Sequence, residues 1–140
     1  MFDKEELISV VEDTLKKCAD KIRSDIQKSM SDTPRNYERP TYKHNKKTPH
    51  YPSLPGNPPA PDSGDLRKSI HWESERNGDM VIARVGTTMM DEMYPIWLET
   101  GTSKMPTGRP WLKPAMKNNA EFVKRELSVA IKNYIGRSLW

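Results

Sequence analysis

The sequence has a single cysteine, Cys18, and no long apolar run. One cysteine excludes an internal disulfide, and its place among residues at helical spacing predicts a buried small side chain rather than a redox group. No segment approaches the roughly 20 apolar residues of a membrane span, and the N-terminus lacks the basic and apolar regions of a signal peptide. These absences predict a protein assembled in a cytoplasm with no membrane partner.

Apolar residues are scarce as well, at 34% of 140 residues. The length favours a single domain, 1–140, with a core drawn from only part of the chain. The 23 basic and 19 acidic residues give a net charge of +4 on a mixed surface. A nucleic-acid-binding domain more often clusters its basic residues on one face, so the balance alone favours no such function.

The N-terminal segment predicts an amphipathic helix over residues 3–30. Apolar residues recur there at steps of three and four, which places them on one stripe. Asp3 is the predicted N-cap, and the residues around Pro34 end the helix. Such a stripe is not stable alone in water and needs a surface to cover it.

Residues 31–64 form a proline-rich segment, here called the arm, which holds eight of the twelve prolines. Proline removes backbone donors, so the arm is predicted to be extended, or disordered when isolated. A spacer and a partner-binding arm both fit this composition. Basic and aromatic residues that could stack on DNA or on a protein surface alternate along it: Arg35, Tyr37, Arg39, Tyr42, Lys43, Lys46 and Lys47.

The second half of the chain predicts antiparallel strands over 65–103 and a helix over 110–136. Asn77-Gly78 between two alternating runs indicates a hairpin. The segment 94–100 is compatible with a short strand or a helical turn, and Pro95 suits an edge strand. The fold class is therefore α+β: terminal helices packed on a small antiparallel sheet, a hairpin plus a short strand. Gly136 is the predicted stop of the last helix.

Closely spaced prolines mark the start of that helix. If Pro110 opened it, Pro114 would fall where the first intrahelical donor is required. Either an irregular turn precedes a helix that starts near Pro114, or the first turn is distorted. Both alternatives place Trp111 and Leu112 at the joint with the preceding segment.

The residue types that carry catalysis are present but lack partners. The three histidines are scattered without other ligands at metal spacing, so no metal or cofactor is expected. Gly101 to Lys104 departs from a phosphate-binding loop in both spacing and order, and Ser103 has no predicted base. Glu99 is placed for a charged hydrogen bond with Lys104 or Arg109, for a pair between subunits, or for a solvated pair of little energy. We expect no enzyme.

Three stretches of the sequence together carry a family resemblance. "PGNPPAPDSGDLRKSI" and "ARVGTT" followed by "YPIWLETGTSKMPTGRPWLKPAM" resemble, in order, the signature blocks of the neck or tail-completion proteins of long-tailed bacteriophages, which include minor tail protein Z and head-tail joining components. The segment from Tyr37 to Tyr51 has no counterpart in that pattern. The residues that match it are Gly56, Pro58, Pro59, Gly64, Leu66, Ser69, Gly86, Tyr94, Leu98, Glu99, Gly101, Thr102, Ser103, Lys104, Arg109, Pro110, Trp111, Leu112 and Pro114.

The resemblance implies a non-enzymatic structural protein of the virion, placed where the head meets the tail. It implies a ring of identical subunits, of which a hexamer is one form. The implied partners are the head-tail connector or stopper and the tail terminator or tail tube. The alternative from the residues themselves is a nucleic-acid-binding module that uses the arm. In both cases the matched residues serve structure or assembly rather than chemistry.

Overall fold

The computed structural model describes residues 2–38, 40–42, 49–89 and 92–138. Its elements, in chain order, are helix α1 (Lys4–Asp32), helix α2 (Asp65–Ser69), strand β1 (Ile70–Asn77), strand β2 (Met80–Thr87), helix α3 (Tyr94–Thr100) and helix α4 (Lys113–Ser138). Helices at both ends of the chain pack with a two-stranded antiparallel sheet. The predicted α+β class is confirmed.

Helix α1 begins and ends where its sequence indicates. The Asp3 carboxylate accepts hydrogen bonds from the backbone N–H groups of Glu5 (2.9 Å) and Glu6 (3.4 Å), as an N-cap does. At the other end Thr33 is extended and Pro34 follows, which excludes a further turn. The Thr33 hydroxyl then donates to the Pro58 carbonyl oxygen (2.8 Å), so the helix end also holds the arm.

Helix α4 lies antiparallel along α1. The Tyr134 hydroxyl near the end of α4 donates to the Asp3 carbonyl oxygen (2.9 Å). Midway, the Lys21 ammonium group reaches Asp25 (2.7 Å), and the buried Asn119 amide donates to the same carboxylate (3.1 Å). Burial acts to raise the pKa of Asp25, but these two hydrogen bonds and the positive charges of Lys21 and Lys28 together outweigh it and hold that pKa below its ordinary value.

The two strands form a hairpin that α1 covers on one side. Trp72 pairs with Val85 in the register, and its indole N–H donates to the Asp20 carboxylate on α1 (3.1 Å). Asn77 pairs with Met80, so the two loop residues are Gly78, at φ +61°, and the aspartate after it. The predicted hairpin is confirmed, with its turn one residue further along than the Asn-Gly pair indicates.

Three predicted element bounds are wrong. Residues 65–69 form α2 rather than the start of a strand. Residues 94–100 form α3, which is the helical alternative for this segment and not the third short strand of the predicted sheet. Helix α4 continues to Ser138, past the predicted stop at Gly136. A two-turn helix suits residues 94–100 because Pro95 is accepted in a first helical turn, whereas it would remove a donor from a sheet.

The core lies where the C-terminal half of α1 meets α2, β1, α3 and the start of α4. Its buried members are Ile22, Ile26, Met30, Leu66, Ile70, Leu98, Trp111 and Ala115. Cys18 is buried beside it on α1, as predicted, and burial raises the pKa of its thiol. The core therefore meets the α3–α4 connection directly.

Candidate functional site: the α3–α4 joint and the arm

The carboxylate of Glu99, at the end of α3, caps the N-terminus of α4. Its Oε2 accepts hydrogen bonds from the backbone N–H groups of Trp111 (2.7 Å) and Leu112 (2.9 Å), and its Oε1 accepts one from Lys113 (2.8 Å). Amides in a first helical turn have no acceptor within the helix, and Pro114 has no N–H. A carboxylate at this end is also favoured by the helix dipole. Glu99 is thus an N-cap supplied from another helix.

The local pair predicted for Glu99 does not form among the described residues. Its carboxylate is occupied by three amides, while Lys104 is exposed. Arg109 points elsewhere: its guanidinium group donates to the carbonyl oxygens of Ser53 (3.2 Å) and Thr107 (3.4 Å). The prediction of a local charged pair with Lys104 or Arg109 is therefore wrong, because helix amides occupy the carboxylate, whereas the alternative of a pair between subunits stays a prediction.

The loop between α3 and α4 needs glycine at two positions. Gly101 has φ +86°, and a Cβ there would lie 2.7 Å from the Pro106 carbonyl oxygen. A Cβ on Gly108 would lie 2.7 Å from the Leu98 carbonyl oxygen. The next residue, Arg109, donates its backbone N–H to that same oxygen (2.6 Å). The loop therefore folds back tightly on the end of α3, which brings the α4 amides within reach of Glu99.

The buried side chain of Trp111 links the start of α4 to the start of α3. Its side chain is 5% exposed, and its indole N–H donates to the Pro95 carbonyl oxygen (2.9 Å) at the start of α3. Leu112 is partly buried against the same core. The prediction that both side chains pack inward is confirmed. The helix begins at Lys113, as in the first of the two alternatives for this proline-rich start.

The arm folds back on itself and returns to the joint. Thr41 and His50 exchange both backbone hydrogen bonds (2.8 and 2.7 Å), and Arg35 donates to the Tyr51 carbonyl oxygen (3.0 Å). The Gly56 amide donates to the carbonyl oxygen of Gly108 in the joint loop (3.0 Å). The pairing consists of two isolated antiparallel bridges, between residues 35 and 53 and between residues 41 and 50, so these parts are extended without a regular ladder, as predicted. The folding back itself was not predicted, because it is made by main-chain groups and by the side chains of Arg35 and Thr41.

The aromatic residues of the arm differ in exposure. The Tyr37 ring lies 5.1 Å from that of Tyr51, and Tyr37 and Tyr42 remain 70% and 62% exposed. Four basic residues of the predicted partner-facing set, Arg39, Lys43, Lys46 and Lys47, lie outside the described residues. Arg35 is the described one, and it serves the arm itself, since its second nitrogen donates to the Pro61 carbonyl oxygen (3.2 Å).

The other residues of the predicted motif are distributed along the same region. Gly64, at φ +84°, precedes α2; Leu66 and Pro59 are buried. The Ser69 hydroxyl lies 2.6 Å from both the Leu66 carbonyl oxygen and the Thr87 hydroxyl. Thr102 exchanges backbone hydrogen bonds with Met105, and Ser103 is exposed. Pro110 and Pro114 are half-buried, Tyr94 is 46% exposed, and Gly86 lies in β2 with open space around it.

Sequence reasoning missed an apolar surface on α3. Met93, Ile96 and Trp97 are 53%, 52% and 49% exposed, whereas Pro95 and Leu98 on the other side are buried. The spacing of three and four among residues 93, 96 and 97 was a usable signal, but it is hidden when the segment is taken as a strand.

Within residues 2–38, 40–42, 49–89 and 92–138, no three His, Cys, Asp or Glu side chains are arranged to hold a metal ion. None of the helices in these ranges has the length and apolar character needed to cross a membrane. Comparisons with family models, with curated proteins and with solved structures gave no match.

Proposed function

We propose that the protein is a structural component of the head-tail junction of a long-tailed phage or prophage, acting in tail completion or as a neck component. The observation that supports this most is the use made of the motif residues. Glu99, Gly101, Arg109 and Trp111 all bind backbone or permit its close approach, and they join α3, α4 and the arm. Motif residues that hold structural elements together, rather than forming a reaction site, suit a protein whose role is to contact its neighbours in an assembly.

A ring of identical copies is the proposed form, located in the virion. Repeated head-to-tail contact between two different surfaces of one chain gives a ring when the rotation from copy to copy closes, and an open filament when it does not. The chain offers two such surfaces, the exposed apolar side of α3 and the aromatic arm. The proposed partners are the connector or stopper on the head side and the terminator or tail tube on the tail side. No reaction is proposed.

The test is deletion of the reading frame from the phage or prophage, followed by electron microscopy of the particles. We expect unjoined heads and tails, with tailed particles restored by the wild-type gene and by Ser103→Ala. Gly101→Val should fail to restore them, because it disrupts the joint. Normal tailed particles from the deletion strain would overturn the proposal.

Non-specific binding to DNA is the second candidate function. The arm was its expected location, and α4 now adds a better one. It carries six exposed basic residues against a single exposed acidic one, Glu121. The basic residues are Lys113, Lys117, Lys124, Arg125, Lys132 and Arg137. Such a stripe suits phosphate contacts without sequence readout.

Fluorescence anisotropy with a short DNA duplex separates this candidate from the first. DNA binding predicts an affinity that falls with salt, and a log-log slope reduced by about 0.9 for each phosphate contact removed. The variant Lys117→Gln/Lys124→Gln removes two positive charges from α4 and tests that helix as the DNA-binding surface. The variant Lys46→Gln/Lys47→Gln removes the same charge from the arm, so it is the matched control and also tests the arm. No measurable binding at low salt would remove the DNA function and leave the structural one in place.

A further inference from the structure

The tip of the β1–β2 hairpin presents an asparagine followed by a glycine to solvent. Asn77 pairs with Met80 at the last position of the ladder, and Gly78 and Asp79 form the loop beyond it. Asn77 and Gly78 are both exposed. Asn77 is also the single asparagine of the sequence that precedes a glycine. The pair explains the turn, but its side-chain chemistry is not used by the proposed function.

An asparagine carboxamide can react with the main-chain nitrogen of the residue that follows it. The short side chain places the carboxamide beside that nitrogen, so the two reacting groups are held close together within one stretch of chain. The nitrogen attacks only after it has lost its proton, and a hydrogen bond on that N–H or a neighbouring Cβ hinders the attack. Glycine is the most reactive successor because it has no Cβ and the backbone around it is free to turn.

The structure leaves both reacting groups unrestrained. Within the described part of the chain, neither the Asn77 carboxamide nor the Gly78 N–H takes part in a hydrogen bond. A Cβ built at Gly78 would meet no atom within 4 Å, so the space around its nitrogen is open. The nitrogen and the carboxamide can therefore approach each other without unfolding the hairpin.

Other asparagines of the chain lack this combination. Asn57 precedes Pro58, whose nitrogen carries no proton to lose. Asn119 is 2% exposed, and its side-chain nitrogen donates two hydrogen bonds. The side-chain oxygen of Asn36 accepts a hydrogen bond from the backbone N–H of Glu38 (3.0 Å). Reaction is thus favoured at the hairpin tip over these positions.

We propose that Asn77 is a site of spontaneous deamidation in the folded protein, with water as the co-reactant. The Gly78 nitrogen attacks the side-chain carbonyl carbon Cγ of Asn77, and the bond between them forms. The carboxamide nitrogen leaves as ammonia and takes the proton that the Gly78 nitrogen gives up. The chain then holds a cyclic imide at residues 77 and 78.

Water opens the imide in one of two directions. Breaking the bond from the Gly78 nitrogen to Cγ gives aspartate at position 77. Breaking its bond to the main-chain carbonyl carbon of residue 77 gives isoaspartate, in which the chain runs through the former side chain. The net change adds one water and releases one ammonia, and nothing is oxidised or reduced.

The modification would alter a contact between the hairpin and α1. The Lys4 ammonium group, at the start of α1, lies 2.8 Å from the Asp79 carboxylate in the loop. Both products add a negative charge two residues from Asp79. Isoaspartate also lengthens the main chain at a ladder position, so the pairing of residue 77 with Met80 is disturbed. This inference does not rest on the proposed function.

The experiment incubates the folded full-length protein in neutral buffer at body temperature, followed by digestion and mass spectrometry of the peptides. We expect the amide of residue 77 to be converted to acid at least about tenfold faster than that of Asn36 or Asn119, which corresponds to about 1.4 kcal/mol of activation free energy. The peptide should appear as two chromatographic forms, aspartate and isoaspartate. The rate should rise with pH, because the reacting nitrogen must lose its proton.

Asn77→Gln is the matched control, since it keeps an exposed carboxamide but must close a larger ring. It should stay unconverted at position 77, and circular dichroism should show the same helices as in wild type. A wild-type sample unfolded in guanidinium chloride gives the rate of the unrestrained chain, and the folded protein should react within about tenfold of that rate.

Three results would overturn the proposal. One is conversion at residue 77 no faster than at Asn36, and another is a folded rate lower than the unfolded rate by more than that margin, because the hairpin would then protect Asn77. The third is aspartate without isoaspartate, since direct hydrolysis of the carboxamide by water would then be the route.

Discussion

Replacing Glu99 with alanine removes the acceptor for three backbone N–H groups at the start of α4. None of these amides has a carbonyl oxygen within the helix that could accept its hydrogen bond instead. Trp111 is buried and Leu112 is partly buried. Water can therefore only partly replace the carboxylate as the acceptor for their N–H groups. The perturbation should therefore destabilise the whole joint, and α4 with it, rather than fray one exposed turn.

The magnitude follows from the three bonds. Loss of an N-cap costs about 1 kcal/mol and at most about 2. Net values for hydrogen bonds to a charged group are about 1.5 to 3 kcal/mol each, but three on one carboxylate are not additive. We expect Glu99→Ala to lower the free energy of unfolding by about 2 to 4 kcal/mol. Glu99→Gln keeps one acceptor oxygen without charge and should lose about half as much.

Urea unfolding followed by circular dichroism measures this loss. The midpoint should fall with an unchanged slope, and thermal unfolding should shift by about 3 °C per kcal/mol for a chain of this size. Amide exchange gives a local readout, because the N–H groups of residues 111–113 should exchange faster in Glu99→Ala than in wild type.

Lys104→Ala is the matched control, because Lys104 is exposed and contributes nothing to the cap. It should change stability by less than about 0.5 kcal/mol. If Glu99→Ala lost no more than this control, or if Lys104→Ala lost as much as Glu99→Ala, the capping role would be refuted and a charged pair would regain support.

Three further predictions concern the joint and the α1–α4 contact. Gly101→Val should reduce soluble yield and thermal stability far more than Ser103→Ala, because its Cβ would meet a backbone oxygen at 2.7 Å in a left-handed conformation; equal yields would contradict this. Trp111→Phe should cost about 1 kcal/mol or more in urea unfolding, through the lost indole hydrogen bond. Asp25 has a lowered pKa, so its stabilisation is present above its unfolded pKa and lost as pH falls through its folded pKa. Asp25→Asn should be less stable than wild type at pH 7, and that difference should shrink in acid; a constant difference across pH would argue against the charge.

Local signals predicted several elements correctly. The N-cap Asp3, the apolar stripe of α1 and Pro34 are all close in sequence to the helix bounds that they determine. The hairpin turn and the start of α4 next to Pro114 are determined just as locally. The type of secondary structure at residues 94–100 was harder to predict, because so short a segment fits both a strand pattern and a helix pattern, and Pro95 is compatible with either. Packing in the folded chain favours the helix, because it buries Pro95 and Leu98 and leaves Met93, Ile96 and Trp97 on the exposed side.

By itself, then, the sequence determined the α+β class, the positions of α1 and α4 and the inward packing of Trp111 and Leu112. Only the tertiary structure decided the partner of Glu99, since a carboxylate can serve a lysine or a helix end, and the choice depends on which lies within 3 Å. It also decided that the arm folds back onto the joint, because backbone hydrogen bonds between distant segments leave no mark in the pattern of side chains.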